Sequence, residues 1–154
     1  MKEMRRKDRA IKEKEAMAIL NTAEYGVLST VSEKGEAYGV PLSFCVVDRC
    51  IYFHCATEGL KIDNIKHNSL VSFCAVGKTE VLPDKFGTKY ESVIVSGEVE
   101  EVFDQEKQTA LEGLLHKYSS KFIEQGKKYI SGLKEKTKVF KIKINNLSGK
   151  ARRK

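Results

Sequence analysis

No stretch of this chain approaches the ~18 consecutive apolar residues that a membrane-crossing helix requires, and the charged N-terminal run "MKEMRRKDRAIKEK" has no apolar segment of the signal-peptide kind. A soluble, cytoplasmic protein is therefore expected. The four cysteines, Cys45, Cys50, Cys55 and Cys74, form no CxxC pair, which removes the usual zinc and dithiol signatures. Their apolar surroundings suit reduced, buried thiols, although Cys45 and Cys50 flank the turn "VVDR" and a bridge across that hairpin is conceivable. No nicotinamide-binding fingerprint such as GxGxxG occurs. Internal repeats, low-complexity tracts and linkers are also lacking, and residues 1–154 read as one domain.

Charge of one sign is in excess only at the ends. Lys and Arg total 28 against 21 Asp and Glu, a net charge of +7, but the surplus collects in the first fourteen residues and in "KEKTKVFKIKI" and "GKARRK". Neither end carries aromatics spaced for base stacking or a nucleic-acid module, so the charge reads as solvated surface, with no nucleic acid and no membrane as partner. A chain of this length buries roughly 70% of its unfolded surface, enough for one sizeable core.

Asp8 stands where a helix N-cap would, ahead of Ile11, Glu15, Ala18 and Ile19 on one side, and that helix should end near Asn21. "YGVLSTV", "AYGVPLSFCVV" and "CIYFHCA" follow as β-rich segments, with a tight turn at Asp48 and Arg49. Pro41 has no amide hydrogen, which pushes its strand toward an edge or a bulge. "SLVSFCAV" is a fourth strand, and "GKTEVLPDKFGTK" reads as a long, functional loop. "YESVIVSGEVEEVF" resumes the sheet, with Gly97 suited to a bulge or a barrel corner. "DQEKQTALEGLLHKYSSKFI" predicts a helix from Asp104, carrying Leu111, Leu114, Leu115 and Tyr118 on one face. "KVFKIKINNL" closes the pattern with Phe140, Ile142 and Ile144 alternating against Lys141 and Lys143. Six strands, one helix between the third and fourth, and helices at the periphery give a mainly β, α+β chain, more a small antiparallel barrel than a sandwich.

The junction "IYFHCATEGLKIDNIKHN" carries the chemistry. The strand runs out near Ala56, Thr57 is placed to cap a helix with Ile62 and Ile65 on its inner face, and the free amides then fall at Glu58 to Lys61. Helix N-termini favour anions. Gly59 lets a phosphate approach the backbone, and Lys61 adds a full charge. Spacing alone leaves the plain alternative open: Gly59 serves a turn, Lys61 is solvated, and Glu58 repels an anion. Charge-assisted hydrogen bonds contribute ~1.5–3 kcal/mol each, whereas micromolar binding needs ~8 kcal/mol. A phosphate site here would need a flat apolar group attached to the phosphate, with "YGVPLSF" offering backbone groups for its polar edge.

Together "MRRKDRAI", "YGVPLSF", "IYFHCATEGLKIDNI", "KFGTKYESVIVSGEV" and "LSGKARRK" resemble the pyridoxamine 5′-phosphate oxidase-like split-barrel flavoproteins, and within them the 5-nitroimidazole resistance (Nim) group. The resemblance implies a six-stranded antiparallel split β-barrel of the FMN-binding type, a homodimer, and FMN in each of two clefts at the subunit interface. It places flavin-ring contacts on Val40, Pro41, Leu42 and Ser43, with His54 and Cys55 on the next strand. Phosphate contacts fall on Gly59, Leu60 (through its backbone amide) and Lys61. Ser92 corresponds to a polar ring contact, and Lys85 or Tyr90 to residues reaching across the dimer. His54 is the implied catalytic residue, an imidazole delivering a proton while FMN delivers a hydride; the plain reading is a strand histidine bonded to a neighbour. Because "KIKINNLSGKARRK" has no histidine, vitamin B6 oxidation is not implied.

The resulting function is an FMN-dependent oxidoreductase taking electrons from reduced nicotinamide, NAD(P)H, and passing them to a small aromatic or nitro-bearing acceptor. The alternatives are a flavin-binding sensor or carrier without turnover, or the same barrel holding deazaflavin or haem. A metal site is disfavoured because His54 and Cys55, neighbours on a strand, point to opposite faces.

Overall fold

The structure, a computed structural model, describes residues 2–154. Strands β1 (Ala10–Ile11), β2 (Gly26–Val31), β3 (Ala37–Leu42), β4 (Cys45–Val47), β5 (Cys50–Cys55), β6 (Leu70–Leu82), β7 (Gly87–Val102) and β8 (Lys138–Arg152) form one antiparallel sheet. Helices α1 (Glu13–Thr22), α2 (Leu60–His67), α3 (Asp104–Tyr118) and α4 (Ile123–Leu133) surround it. The order β3-β2-β6-β7-β8-β5-β4, with β1 added to β8, is the mainly β, α+β arrangement expected. It has eight strands where six were expected, because the second segment breaks at Ser43–Phe44 into β3 and β4 and because Ala10–Ile11 pairs with Gly149 and Lys150.

The sheet must curl. Strands β3 and β4 are its opposite edges, yet only Ser43 and Phe44 lie between them in the chain. At no more than about 3.6 Å per residue, those two residues hold the edges together. The result is a barrel with an unpaired seam, a split barrel. Phe44 fills the seam from inside, fully buried, with the Phe73 ring edge-on at 4.8 Å and the Lys117 ammonium over its face at 3.7 Å. The Tyr118 hydroxyl accepts the Phe44 amide hydrogen at 3.1 Å and donates to the Glu24 carbonyl at 2.6 Å, with the Phe44 carbonyl a second acceptor at 3.1 Å.

Two hydrophobic clusters follow from strand alternation. Leu28, Phe44, Phe53, Phe73, Val93, Val95 and Ile142 fill the barrel, plugged by Ile19 and Leu20 of α1 and by Ile62 and Ile65 of α2. On the opposite face Cys45, Tyr52, Val102 and Val139 pack beneath Ala110, Leu111 and Leu114 of α3. There Glu106 accepts from Tyr52 at 2.8 Å and from Lys141 at 2.7 Å, tying α3 to the sheet.

Several expectations need correction. Asp8 caps no long helix: it sits in a short 3₁₀ turn, Lys7–Arg9, paired with Arg6, and α1 starts only at Glu13 because the intervening backbone is taken up by β8. The buried face of α1 is accordingly Ala16, Ile19 and Leu20. "GKTEVLPDKFGTK" is no loop. β6 and β7 stay paired to Leu82↔Gly87 around the turn Pro83–Lys85, an arm held by backbone bonds that its polar composition does not reveal. α3 begins at Asp104 as expected, but Ser119–Phe122 turns the chain and α4 is a separate helix. Cys45 faces Tyr52 and Cys50 faces Val47, so the hairpin cysteines are not opposite each other, and all four thiols are free. Asp48 and Arg49, both with positive φ, make the two-residue turn of that hairpin.

Gly97 marks a bulge, as its position in β7 suggested. Between Ser96↔Asn146 and Gly97↔Ile144 the register slips, and a Cβ on Gly97 would stand 2.3 Å from the Lys143 carbonyl oxygen. Gly97→Val should cost at least ~2 kcal/mol, since the obstacle is backbone rather than a movable side chain, and urea unfolding reads the loss. Tyr118→Phe should cost about 1–3 kcal/mol by leaving seam carbonyl and amide groups without partners, read the same way.

Candidate functional site

The chain turns from β5 into α2 through Gly59, whose φ of 144° lies in the region that favours glycine. Thr57 is not the cap. Gly59 holds that position without any side-chain bond, so the first-turn amides of Leu60, Lys61 and Ile62 have no side-chain partner. Nothing lies within 4 Å of where a Gly59 Cβ would stand. The backbone at Gly59 is thus open to a close approach, a property a phosphate cradle needs. The helix is anchored behind them by Ile62, Ile65 and buried Asn64, whose side chain donates to Thr30 Oγ1 at 3.0 Å.

Lys61 stands beside this opening with its ammonium 5.8 Å from the Phe53 ring centroid. Its charge reaches both His54 and Cys55, but those two side chains leave β5 on opposite faces. Cys55 packs against the barrel core, and burial pushes its thiol pKa up against the opposing pull of Lys61. His54 instead points to the α3 side. It is exposed and lines a recess, and burial followed by the Lys61 charge lowers its pKa below the ordinary 6.5. The imidazole is consequently neutral at pH 7 and offers one N–H donor. The two residues thus present their side chains to different surroundings, Cys55 to the barrel core and His54 to the α3 side.

The recess is a cavity of about 650 Å³ between the β5 end and the two helices α3 and α4. Ser43 and His54 are at its sheet side, and Leu114, Tyr118, Phe122 and Ile130 form apolar walls. The apolar face Leu111, Leu114, Leu115 and Tyr118 expected of α3 supplies one wall, whereas Phe122, Tyr129 and Ile130 face it only because the chain turns at Ser119–Phe122 into a separate α4.

The other expected residues lie elsewhere in the chain. Val40 and Leu42 turn inward to the core, and Pro41 faces out, opposite Val27. That outward row continues through Cys74 and Ile94 to Ser148. Ser92 lies beside it, opposite Lys150 on β8, whereas His54 is opposite Val139 on the same strand. At ~3.3 Å per residue, those β8 partners are roughly 36 Å apart along the curved strand. Tyr90 is near Ser92, accepting a hydrogen bond from Arg9 at 3.3 Å. Lys85 is in the turn at the tip of the β6–β7 arm, next to fully exposed Phe86. One chain thus brings together Ser43 with His54, and His54 with Lys61, but not Lys85, Tyr90 or Ser92 with them. Among the described residues no helix is long and apolar enough to cross a membrane.

Known proteins of this shape are numerous. A conserved hypothetical protein from Mycobacterium tuberculosis superposes with a TM-score of 0.81 at 18% identity, covering 96% of this chain and 90% of that one. A candidate 5-nitroimidazole antibiotic resistance protein from Bacteroides thetaiotaomicron gives 0.73 at 22% identity, over 92% and 86%. A protein from Mycobacterium smegmatis that binds FAD and haem gives 0.73 at 16%, over 93% and 72%. No curated protein is significantly similar by sequence. The model of the family described as pyridoxamine 5′-phosphate oxidase matches residues 12–151, from just before α1 to near the end of β8, and with that match the chain belongs to this family.

Proposed function

We propose that the protein is a homodimeric FMN-binding oxidoreductase whose flavin takes electrons from NAD(P)H and passes them to a small aromatic or nitro-bearing acceptor. The observation that carries the reading is the set of first-turn amides at Leu60–Ile62 without side-chain partners, beside the Lys61 ammonium, with His54 a few residues upstream on the adjoining strand. Flavin binding in structurally similar proteins agrees with it. When bound, FMN would supply the hydride chemistry. The protein's own contribution is then definable. Leu60 and Lys61 amides and the Lys61 side chain hold a phosphate, the strand about Pro41 offers an edge unpaired on one side, and His54 holds a proton-donating N–H toward the recess.

The separation within one chain of His54 from Ser92 and Tyr90 argues for two copies. A second chain presenting its outward β7 face would supply those residues to the first chain's Pro41–Ser43 edge. Ile94 on that face and Val76 on neighbouring β6 are 46% and 44% exposed, which a partner would cover. A flavin-binding carrier without turnover uses the same phosphate cradle but has no need of the His54 donor.

Added FMN should produce a yellow protein with the mass of a dimer. Lys61→Ala should weaken FMN uptake at least ~10-fold, the loss of one charge-assisted contact; unchanged affinity would remove the cradle. His54→Phe should keep its flavin content and slow acceptor reduction ~10²-fold or more, whereas equal rates would leave the carrier reading. With the folded-state pKa of His54 depressed, proton delivery by the imidazolium should rise as pH falls below 6.5. The sign for stability is opposite: the unfolded chain binds this proton more readily, so the folded protein loses stability as pH falls from 6.5 through the lower folded pKa. His54→Phe should abolish both dependences, measured by stopped-flow rates and by urea midpoints across pH 5–8.

A further inference from the structure

The cavity under α3 and α4 is larger than the packing around it requires. Helix α4 buries no residue of its own, and Phe122 and Tyr129 remain 59% and 71% exposed although they line the cavity. An amphipathic helix ordinarily buries its apolar stripe in a core. This one instead roofs a space of about 650 Å³, within the range typical of small-molecule sites. The walls are Leu111, Leu114, Leu115, Ile130 and aromatic rings, so an apolar, flat occupant is favoured.

The polar groups are few and placed at the margins. His54 and Ser43 come from the sheet side and Gln125, Lys134 and Thr137 from the other elements, with no carboxylate among the lining residues. A cationic ligand would find no carboxylate to pair with there. Ser43 and His54 both offer hydrogen-bond donors to an oxygen at the sheet side, and Lys134 tolerates one negative charge at the rim.

From this we propose that the α3–α4 cavity is the acceptor site: it takes a flat aromatic molecule, neutral or singly negative, with an oxygen acceptor group turned toward His54 and Ser43. Its role as acceptor site rests on the flavin reading above, while its capacity to bind such a molecule does not. Tyr118 joins the two, since its ring walls the cavity while its hydroxyl holds the Phe44 seam next to Ser43.

The test is calorimetric titration of 1-nitronaphthalene into flavin-free protein, alongside a separate titration with FMN. Phe122→Asp puts a charge into the cavity wall at the α4 N-cap, where aspartate is a favourable residue, so the helix should survive. The expected result is saturable one-to-one binding to the natural protein, at least tenfold weaker in Phe122→Asp, with equal FMN affinity in both. Equal or absent nitronaphthalene binding in the two proteins would overturn the site, whatever FMN does. Binding of the probe without FMN uptake would overturn its acceptor role and, separately, the flavin reading. If saturation with the probe splits a dimer, a second copy occupies the cavity and the proposal is also overturned.

Discussion

The two residues joining β3 to β4 constrain everything else in this fold. Because Ser43 and Phe44 connect the opposite edges of the sheet, the intervening strands have to bend round until those edges meet. Nothing pairs across the gap, so its closure relies on side chains. Phe44 is held between Phe73 and the Lys117 ammonium, and its backbone groups are satisfied by the Tyr118 hydroxyl. Burial lowers the Lys117 pKa, and its ammonium has no hydrogen-bond partner among the described residues, leaving the Phe44 ring face as its compensating contact. The end of α3 therefore serves the barrel more than it serves α3's own packing.

Curling also divides the sheet's outer surface into two regions with different fates. Around β4, β5 and the start of β8 it is covered by α3, which forms the second hydrophobic cluster. Around β2, β6, β7 and the end of β8 no helix covers it, and small or apolar residues such as Val27, Cys74, Val76 and Ile94 face outward. His54 stands at the boundary of the covered region, where α3 and α4 do not fill the space above it. The site is a consequence of where the covering helices stop.

Electrostatics at the junction follow from the same geometry. Gly59 allows a turn without a side-chain cap, the first-turn amides stay open, and Lys61 adds positive charge that depresses His54 further than burial alone does. A positive environment that keeps the imidazole neutral favours an anionic group nearby and a hydrogen-bond donor rather than a permanent second cation. The arrangement of amides, ammonium and neutral imidazole is chemically coherent on one short stretch, residues 54–61.

That stretch was legible in the sequence because its relations are local: strand to turn to helix, with Gly59 and Lys61 at fixed offsets from His54. The β-rich segments that become β2, β5 and β7, the alternation in β8 and the bulge at Gly97 were legible for the same reason. Thr57 is a good cap in isolation, but the chain enters α2 through the positive φ of Gly59, which puts the start there. The β6–β7 arm, the pairing of Ala10–Ile11 with β8 and the separate α4 depended on backbone bonds between distant residues, which local composition does not encode. By itself the sequence determined the six principal β segments, the helices that begin after Gly59 and at Asp104, and the charged junction. Only the tertiary structure decided that His54 and Cys55 part company, that Ser92 and Tyr90 lie too far away to join them within one chain, and that α3 and α4 enclose a cavity, because each depends on sheet curvature and register.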